Sequence, residues 1–181
     1  MLHHLITKND YNNLSKHMQE TIQNSTSILR VKYSDPDFPT LHITEKGNWI
    51  DLKCSQDYTL KAGESTLIDL GVAMKLPEDF EAWLVPRSGT FKKYGLTQTN
   101  GIGIIDNSYS GNGDIWKMPV LAHQDTFVAK GERLCQFRLM PTMDAMITGG
   151  KPMLSIKPGL VIVEVSQLDD VDRGGFGSSG R

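Results

Sequence analysis

From Ile28 onward the chain is a succession of short, strand-length apolar segments cut at close intervals by turn residues. This pattern constrains the fold more than any other feature, because runs of roughly four to eight residues rich in Val, Ile and Leu are too short to pack as helices. Ile28 to Tyr33 alternates apolar and polar residues, and Ser34-Asp35-Pro36-Asp37 then supplies a turn. Proline fixes one backbone dihedral there, and the acidic side chains bond nearby amides. Further strand candidates are Trp49–Cys54, Ser65–Met74, Ala82–Val85, Ile102–Ile105, Gly113–Met118, Leu134–Met140 and Gly159–Val165. Turns recur at Lys61-Ala62-Gly63-Glu64, Leu76-Pro77-Glu78-Asp79 and Ala129-Lys130-Gly131-Glu132, and Thr90–Tyr94 adds one helical turn. Many short strands with this punctuation and no internal repeat predict an all-β barrel or jelly roll.

The two ends are written differently. Asn9 or Asp10 can cap a helix, and Tyr11, Leu14, Met18 and Ile22 then recur at helical spacing. One amphipathic helix over residues 10–24 is expected, its apolar stripe packed on the body or on a neighbouring subunit and its end marked by Ser25-Thr26-Ser27. At the other end, Asp172-Arg173-Gly174-Gly175-Phe176-Gly177-Ser178-Ser179-Gly180-Arg181 is too glycine-rich to hold one shape alone. A solvated tail is the default reading, yet a phenylalanine and an arginine among glycines also suit an arm that orders over an anionic, aromatic ligand. The organisation expected is a helical extension over 1–27, a β domain over 28–168 and a flexible arm over 169–181.

A chain of 181 residues is long enough for one domain with its own core. Its net charge of −2 argues against a broad electrostatic grip on nucleic acid or an anionic membrane. No apolar run approaches the roughly 18 residues that span a bilayer, and the start lacks the pattern of a secretion signal. Cys54 and Cys135 lie far apart in apolar strand text, which favours two buried thiols over a disulfide or a metal pair. A cytoplasmic location is expected. His3, His4, His17, His42 and His123 show no metal-ligand spacing, and Trp49, Trp83 and Trp116 read as packing residues.

Three stretches look unlike plain core strands. In Pro86-Arg87-Ser88-Gly89 a hydroxyl beside a permanent cation, followed by glycine, lets side chains and amides converge on phosphate oxygens. An exposed turn after a strand explains the same residues. In Asn100-Gly101-Ile102-Gly103-Ile104-Ile105-Asp106-Asn107-Ser108-Tyr109-Ser110-Gly111, a glycine-studded apolar run permits close backbone approach to a flat ligand. A hairpin turn by itself explains Asp106 and Asn107, and without other evidence it is the favoured reading. The third stretch is the tail, whose amides can face phosphate.

Order and spacing together say more than each stretch does. From Ile28 to Arg181 the chain resembles the trimeric dUTPase family, all five of whose motifs occur in sequence: Trp49-Ile50-Asp51-Leu52, Pro86-Arg87-Ser88-Gly89, Gly103 to Gly111, Gly131-Glu132-Arg133-Leu134-Cys135-Gln136, and Arg173 to Gly180. The form of the first motif is similar to a subgroup found in Bacillus and its phages. The resemblance implies a dUTPase-like jelly roll and a homotrimer with shared sites, in which the arm reaches a neighbour's site. It implies hydrolysis of dUTP to dUMP and diphosphate with Mg²⁺.

The resemblance also implies roles. Asp106 takes a proton from a water attacking the α-phosphorus, a task suited to a carboxylate fixed at a strand end. Asp51 touches the magnesium through water, since Mg²⁺ dehydrates reluctantly. Ser88 bonds the oxygen bridging the α- and β-phosphorus; Arg87 and Gly89 steady the phosphates, and Gln136 the water or phosphate network. Backbone groups of Asn100, Gly103 and Ile105 read the uracil edge, leaving no space for thymine's methyl and mismatching cytosine. Tyr109 lies under the deoxyribose, Phe176 closes over uracil, and Arg173, Gly177, Ser178 and Ser179 grip the γ-phosphate.

The chain departs from the family pattern at Ser108, where many members carry an acid, and at Arg173–Phe176, which is two residues shorter than the commoner spacing. Residues 1–27 lie outside the resemblance. Two rival readings remain: dCTP deamination on the same fold, which needs a glutamate where this chain has Trp116, and a regulatory binding module using the N-terminal helix.

Overall fold

A computed structural model describes residues 4–23, 28–43, 48–147 and 160–176. In chain order the elements are β1 (His4–Ile6), α1 (Lys8–Asn13), α2 (Lys16–Gln23), β2 (Ile28–Tyr33), β3 (Leu41–Ile43), β4 (Ile50–Lys53), β5 (Tyr58–Leu60), β6 (Ser65–Asp69) and β7 (Val72–Lys75). They continue with β8 (Phe80–Pro86), α3 (Thr90–Tyr94), β9 (Leu96–Gln98), β10 (Gly103–Ile105), β11 (Lys117–Ala122), β12 (Thr126–Val128), β13 (Arg133–Pro141), α4 (Met143–Ile147) and β14 (Val161–Glu164). The strands form four sheets, in the orders β1-β14-β2-β7, β10-β8-β13-β4-β3, β6-β11-β9 and β12-β5. The protein is mostly β, as the punctuated strand text predicts.

One apolar cluster joins these sheets. Alternation in β2 turns Leu29, Val31 and Tyr33 inward, where they meet Leu52, Ile68, Met74, Leu84, Phe137 and Ile162. Trp116 is buried at its centre, its ring edge-on to Phe137 at 5.1 Å between centroids. Cys54 and Cys135 are both buried free thiols, as their apolar surroundings imply.

Local chemistry corrects several expected boundaries. The run Ser65–Met74 is two strands, because Gly71 turns the chain at φ +64° and its amide donates to the Asp69 carboxylate at 2.6 Å. Gly113 ends a turn, Asp114–Trp116 run irregularly, and the strand begins only at Lys117. There the Asp114 carboxylate accepts the Gly111 N–H at 2.9 Å, a local bond that competes with a ladder.

The expected single helix over 10–24 is two. Thr7, rather than Asn9 or Asp10, caps the first by accepting the Asp10 N–H at 3.1 Å. Leu14 is extended (φ −69°, ψ 151°), and the Ser15 hydroxyl accepts the Met18 N–H at 3.3 Å to start the second. The Gln19 side chain straps the break by donating to the Tyr11 and Leu14 carbonyls at 2.9 and 3.2 Å. Tyr11 and Leu14 are half-buried, whereas Met18 is 52% exposed, so the expected stripe does not pack along its whole length. Ser25-Thr26-Ser27 lies outside the described residues. The N-terminal segment is not helical throughout: β1 lies parallel to β14 and extends its sheet.

Candidate active site

The first, second and fourth motifs meet on one sheet. In β13, Gln136 stands between Asp51 of β4 and Val85 of β8 in register. A bulge between Arg133 and Cys135 shifts the ladder, and the freed Leu134 carbonyl accepts the Arg87 N–H at 3.0 Å and the Thr90 hydroxyl. That carbonyl fastens the turn carrying Arg87, Ser88 and Gly89. Asp51 is 4% exposed, and each of its oxygens is engaged by a guanidinium: Arg87 Nε at 3.2 Å and Arg133 at 3.2 Å. One buried anion therefore fixes two half-exposed cations side by side.

Outside this pair lies a cleft of about 520 Å³ lined by Arg87, Gly89, Lys92, Lys93, Glu132 and Arg133, among others. Glu132 is tied to Lys93 at 2.8 Å, and the remaining side chains give the cleft a net positive lining. Ser88 is exposed on the turn beside it, and Gln136 is half-buried.

The third and fifth motifs build a second cavity, of about 320 Å³, lined by Leu84, Asn100, Gly103, Ile104, Ile105, Asp106, Tyr109, Lys117 and Arg173 to Phe176. It falls at the lower end of ligand-sized sites. Gly103 packs so closely on Leu84 that a Cβ would lie 3.3 Å from the leucine's Cβ, which keeps the strand flat against its neighbour. The floor is stiffened by buried Gln98, whose amide donates to the Leu84 carbonyl at 3.1 Å and the Asn100 side chain at 2.9 Å. Tyr109 is held by its hydroxyl, which donates to the Ile115 carbonyl at 3.1 Å.

Asp106 directly follows β10, with its carboxylate exposed. Ser108 donates to the same oxygen from its hydroxyl at 2.6 Å and its amide at 2.8 Å. These bonds, with the positive charge of Arg173 at 3.5 Å, hold Asp106 below the usual carboxylate range and keep it ionised. The departure at Ser108 thus has a local purpose, since an acid there would repel Asp106 rather than donate to it.

As far as Phe176 the arm lies in contact with the β domain. Leu168 exchanges two bonds with the Asn112 side chain (2.7 and 2.9 Å), and Asp170 accepts from Ser110 at 2.8 Å and pairs with Lys75 at 2.9 Å. Gly175 passes so close to Tyr109 that a Cβ would come within 3.2 Å of the ring. Arg173 and Phe176 line one cavity despite their short spacing. Gly177, Ser178 and Ser179 lie outside the described residues.

The two cavities share no lining residue. The sequence assigns no role in the site to Arg133, Lys92, Lys93, Lys117, Gln98 or Asp114, although Arg133 lies inside the fourth motif and Lys92 and Lys93 stand in the basic and aromatic run Phe91-Lys92-Lys93-Tyr94, too small to imply nucleic-acid binding. The rest read as ordinary surface or strand residues until the fold gathers them. Among the described residues no group of three His, Cys, Asp or Glu side chains is placed to hold a metal. No described helix is long and apolar enough to cross a membrane.

The dUTPase family model matches residues 44–180. The SPbeta prophage-derived deoxyuridine 5'-triphosphate nucleotidohydrolase YosS of Bacillus subtilis is 43% identical over 152 residues, covering 84% of this chain and 97% of that protein. The deoxyuridine 5'-triphosphate nucleotidohydrolase of Finegoldia magna is 35% identical, covering 68% and 77%. Among solved structures, the dUTPase from Streptococcus mutans superposes with a TM-score of 0.54 at 25% identity, covering 61% of this chain and 91% of that one. The dUTPase of S. aureus phage phi11, described as coordinating a structural Mg(II) ion, gives 0.55 at 19% identity over 63% and 90%, a likeness of fold alone. The chain belongs to the dUTPase family.

Proposed function

We propose that the protein is a dUTP diphosphatase, hydrolysing dUTP to dUMP and diphosphate through an Asp106-activated water. The observation that carries this reading is Asp106 itself: an ionised, exposed carboxylate at a strand end, oriented by Ser108 and facing the same cavity as Tyr109, Arg173 and Phe176. A fixed base needs position more than high basicity, because the water it serves is already held against an electrophile. On this reading the backbone of Asn100, Gly103 and Ile105 reads the uracil edge. Tyr109 takes the deoxyribose, and Phe176 covers the base. Ser88 donates to the oxygen bridging the α- and β-phosphorus, where charge builds as diphosphate leaves. Arg87, held by Asp51, neutralises phosphate oxygens, with Gln136 ordering the neighbouring water.

The residues fit a magnesium ion carried mainly by the substrate. With both Asp51 oxygens already bonded to arginines, the carboxylate has lone pairs left for a water-mediated contact, while direct ligation would press the ion against two guanidiniums. When bound, Mg²⁺ neutralises charge on the phosphate oxygens. The reading also includes a closed homotrimer. Its support is that the cationic cleft and the nucleoside cavity share no lining residue on one chain, while one substrate needs both. A location in the cytoplasm accords with this activity. Deamination is disfavoured because Trp116 is buried in the core and supplies no carboxylate.

The test is diphosphate release from dUTP, dCTP, dTTP and UTP with Mg²⁺, for wild type and Asp106→Asn. Release from dUTP alone, abolished by the substitution, is expected. Absence of release from dUTP, or equal turnover by the variant, overturns the reading.

A further inference from the structure

The turn after Tyr109 holds a carboxylate that the chemistry above does not use. Asp114 is 1% exposed and has no cationic partner among its described hydrogen bonds. It is satisfied instead by backbone: Oδ2 accepts the N–H of Gly111 at 2.9 Å and of Arg173 at 2.9 Å, and Oδ1 accepts the N–H of Gly174 at 2.8 Å. Burial pushes this acid up, but the amides of Arg173, Gly111 and Gly174 more than offset that and leave it below the usual carboxylate range. The arm returns the contact, since the Asp172 carboxylate accepts the Gly113 N–H at 2.7 Å.

We infer that Asp114 is a positioning residue for the arm: its carboxylate gathers the Arg173 and Gly174 amides and so sets where Arg173 and Phe176 meet the substrate. The inference rests on the reading that the arm closes over dUTP. Its physical basis is register. A glycine-rich segment has many accessible conformations, and two charge-assisted bonds to adjacent amides select one of them. Gly174 adopts φ +73° at the clasp, so the chain turns there and Gly175 runs against Tyr109. Arg173 is thereby delivered to 3.5 Å from Asp106. In this structure the seat and the arm it holds belong to one chain, whereas the family resemblance implies an arm that reaches a neighbour's site.

Trypsin provides a readout separate from catalysis, because its cut after Arg173 requires the arm to leave the seat. Cleavage at Arg173–Gly174, followed by intact mass, and kcat and KM for dUTP with Mg²⁺ are measured together. The proteins are wild type, Asp114→Asn, Asp172→Ala, a chain ending at Asp172, and that shortened chain carrying Asp114→Asn. Replacing the anion by an amide weakens charge-assisted bonds, so cleavage is expected to rise on the order of tenfold, with other tryptic sites unaffected. KM for dUTP should rise, and Asp114→Asn should add nothing to the defect of the shortened chain. Asp172→Ala, which touches only the arm side, should loosen the same site more weakly and serves if Asp114→Asn does not fold. An unchanged cleavage rate in both full-length variants, or a further loss from Asp114→Asn in the shortened chain, overturns the inference. If wild type does not hydrolyse dUTP while Asp114→Asn still frees the arm, the substrate reading fails and the clasp stands.

Discussion

Asp51→Asn isolates what one buried anion does for the cationic side of the site. The Asp51 side chain is 5% exposed and bonds Arg87 and Arg133, each at 3.2 Å, while those arginines are 35% and 38% exposed. Hydrogen bonds to charged groups contribute about 1.5–3 kcal/mol each, so two intact losses set an upper bound of about 6 kcal/mol. Two terms reduce it: water resolvates the exposed arginine faces, and the asparagine oxygen still accepts from one of them. A net loss of about 2–3 kcal/mol follows, at the lower edge of the roughly 3–5 kcal/mol that breaking a fully buried pair costs, because both arginines keep contact with water. For a chain of this size that is a fall in Tm of roughly 5–10 °C. Thermal unfolding of both proteins at equal concentration, which matters if they assemble, reads the effect. On the reading proposed above, kcat for dUTP should also fall, since Arg87 loses its tether. A variant with unchanged Tm would refute the view that Asp51 organises the two guanidiniums.

Ser108→Ala should move the acid limb of the kcat/KM profile for dUTP to higher pH. Asp106 loses its largest stabilising bond and rises toward its ordinary value of 3.8, so protonation silences the base at less acidic pH; a limb that stays put contradicts the role given to Ser108. Gly175→Ala should raise KM with little change in Tm, because its Cβ meets the Tyr109 ring at 3.2 Å and no core residue; equal KM values would show that the arm does not need that approach. Burial pushes both cysteine thiols up, so a thiol reagent at neutral pH should label neither Cys54 nor Cys135 until denaturant is added, and rapid native labelling would place them wrongly.

Strand text was readable where burial alternates. Ile28 to Tyr33 turns Leu29, Val31 and Tyr33 inward just as its pattern requires. It was unreadable where a side chain outbids the ladder: Asp69 at Gly71 and Asp114 at Gly111 stop strands that hydrophobicity alone would continue. The same competition explains the N-terminal helix, which Ser15 restarts in mid-course. For the site, Asp106, Tyr109, Arg173 and Phe176 were legible as motifs, and the fold brings them to one cavity. The roles of Arg133 and Asp114 were not, because their importance lies in partners some 60 or more residues away: Asp51 for the one, the arm's amides for the other. No local window contains such a pair.

The strand at His4–Ile6 carries a practical warning. It lies at the edge of its sheet and covers β14, whose other side is already paired with β2. Cutting the chain before Ile28 removes that cover and lays bare unpaired amides and carbonyls along Val161–Val163, a template on which other extended chains can add. A truncated protein that captures new partners, or that precipitates, therefore reports an uncapped sheet edge before it reports a lost recognition element. Substituting exposed residues of α2 such as His17 or Glu20, with β1 kept in place, is the cleaner way to ask whether this segment meets another protein.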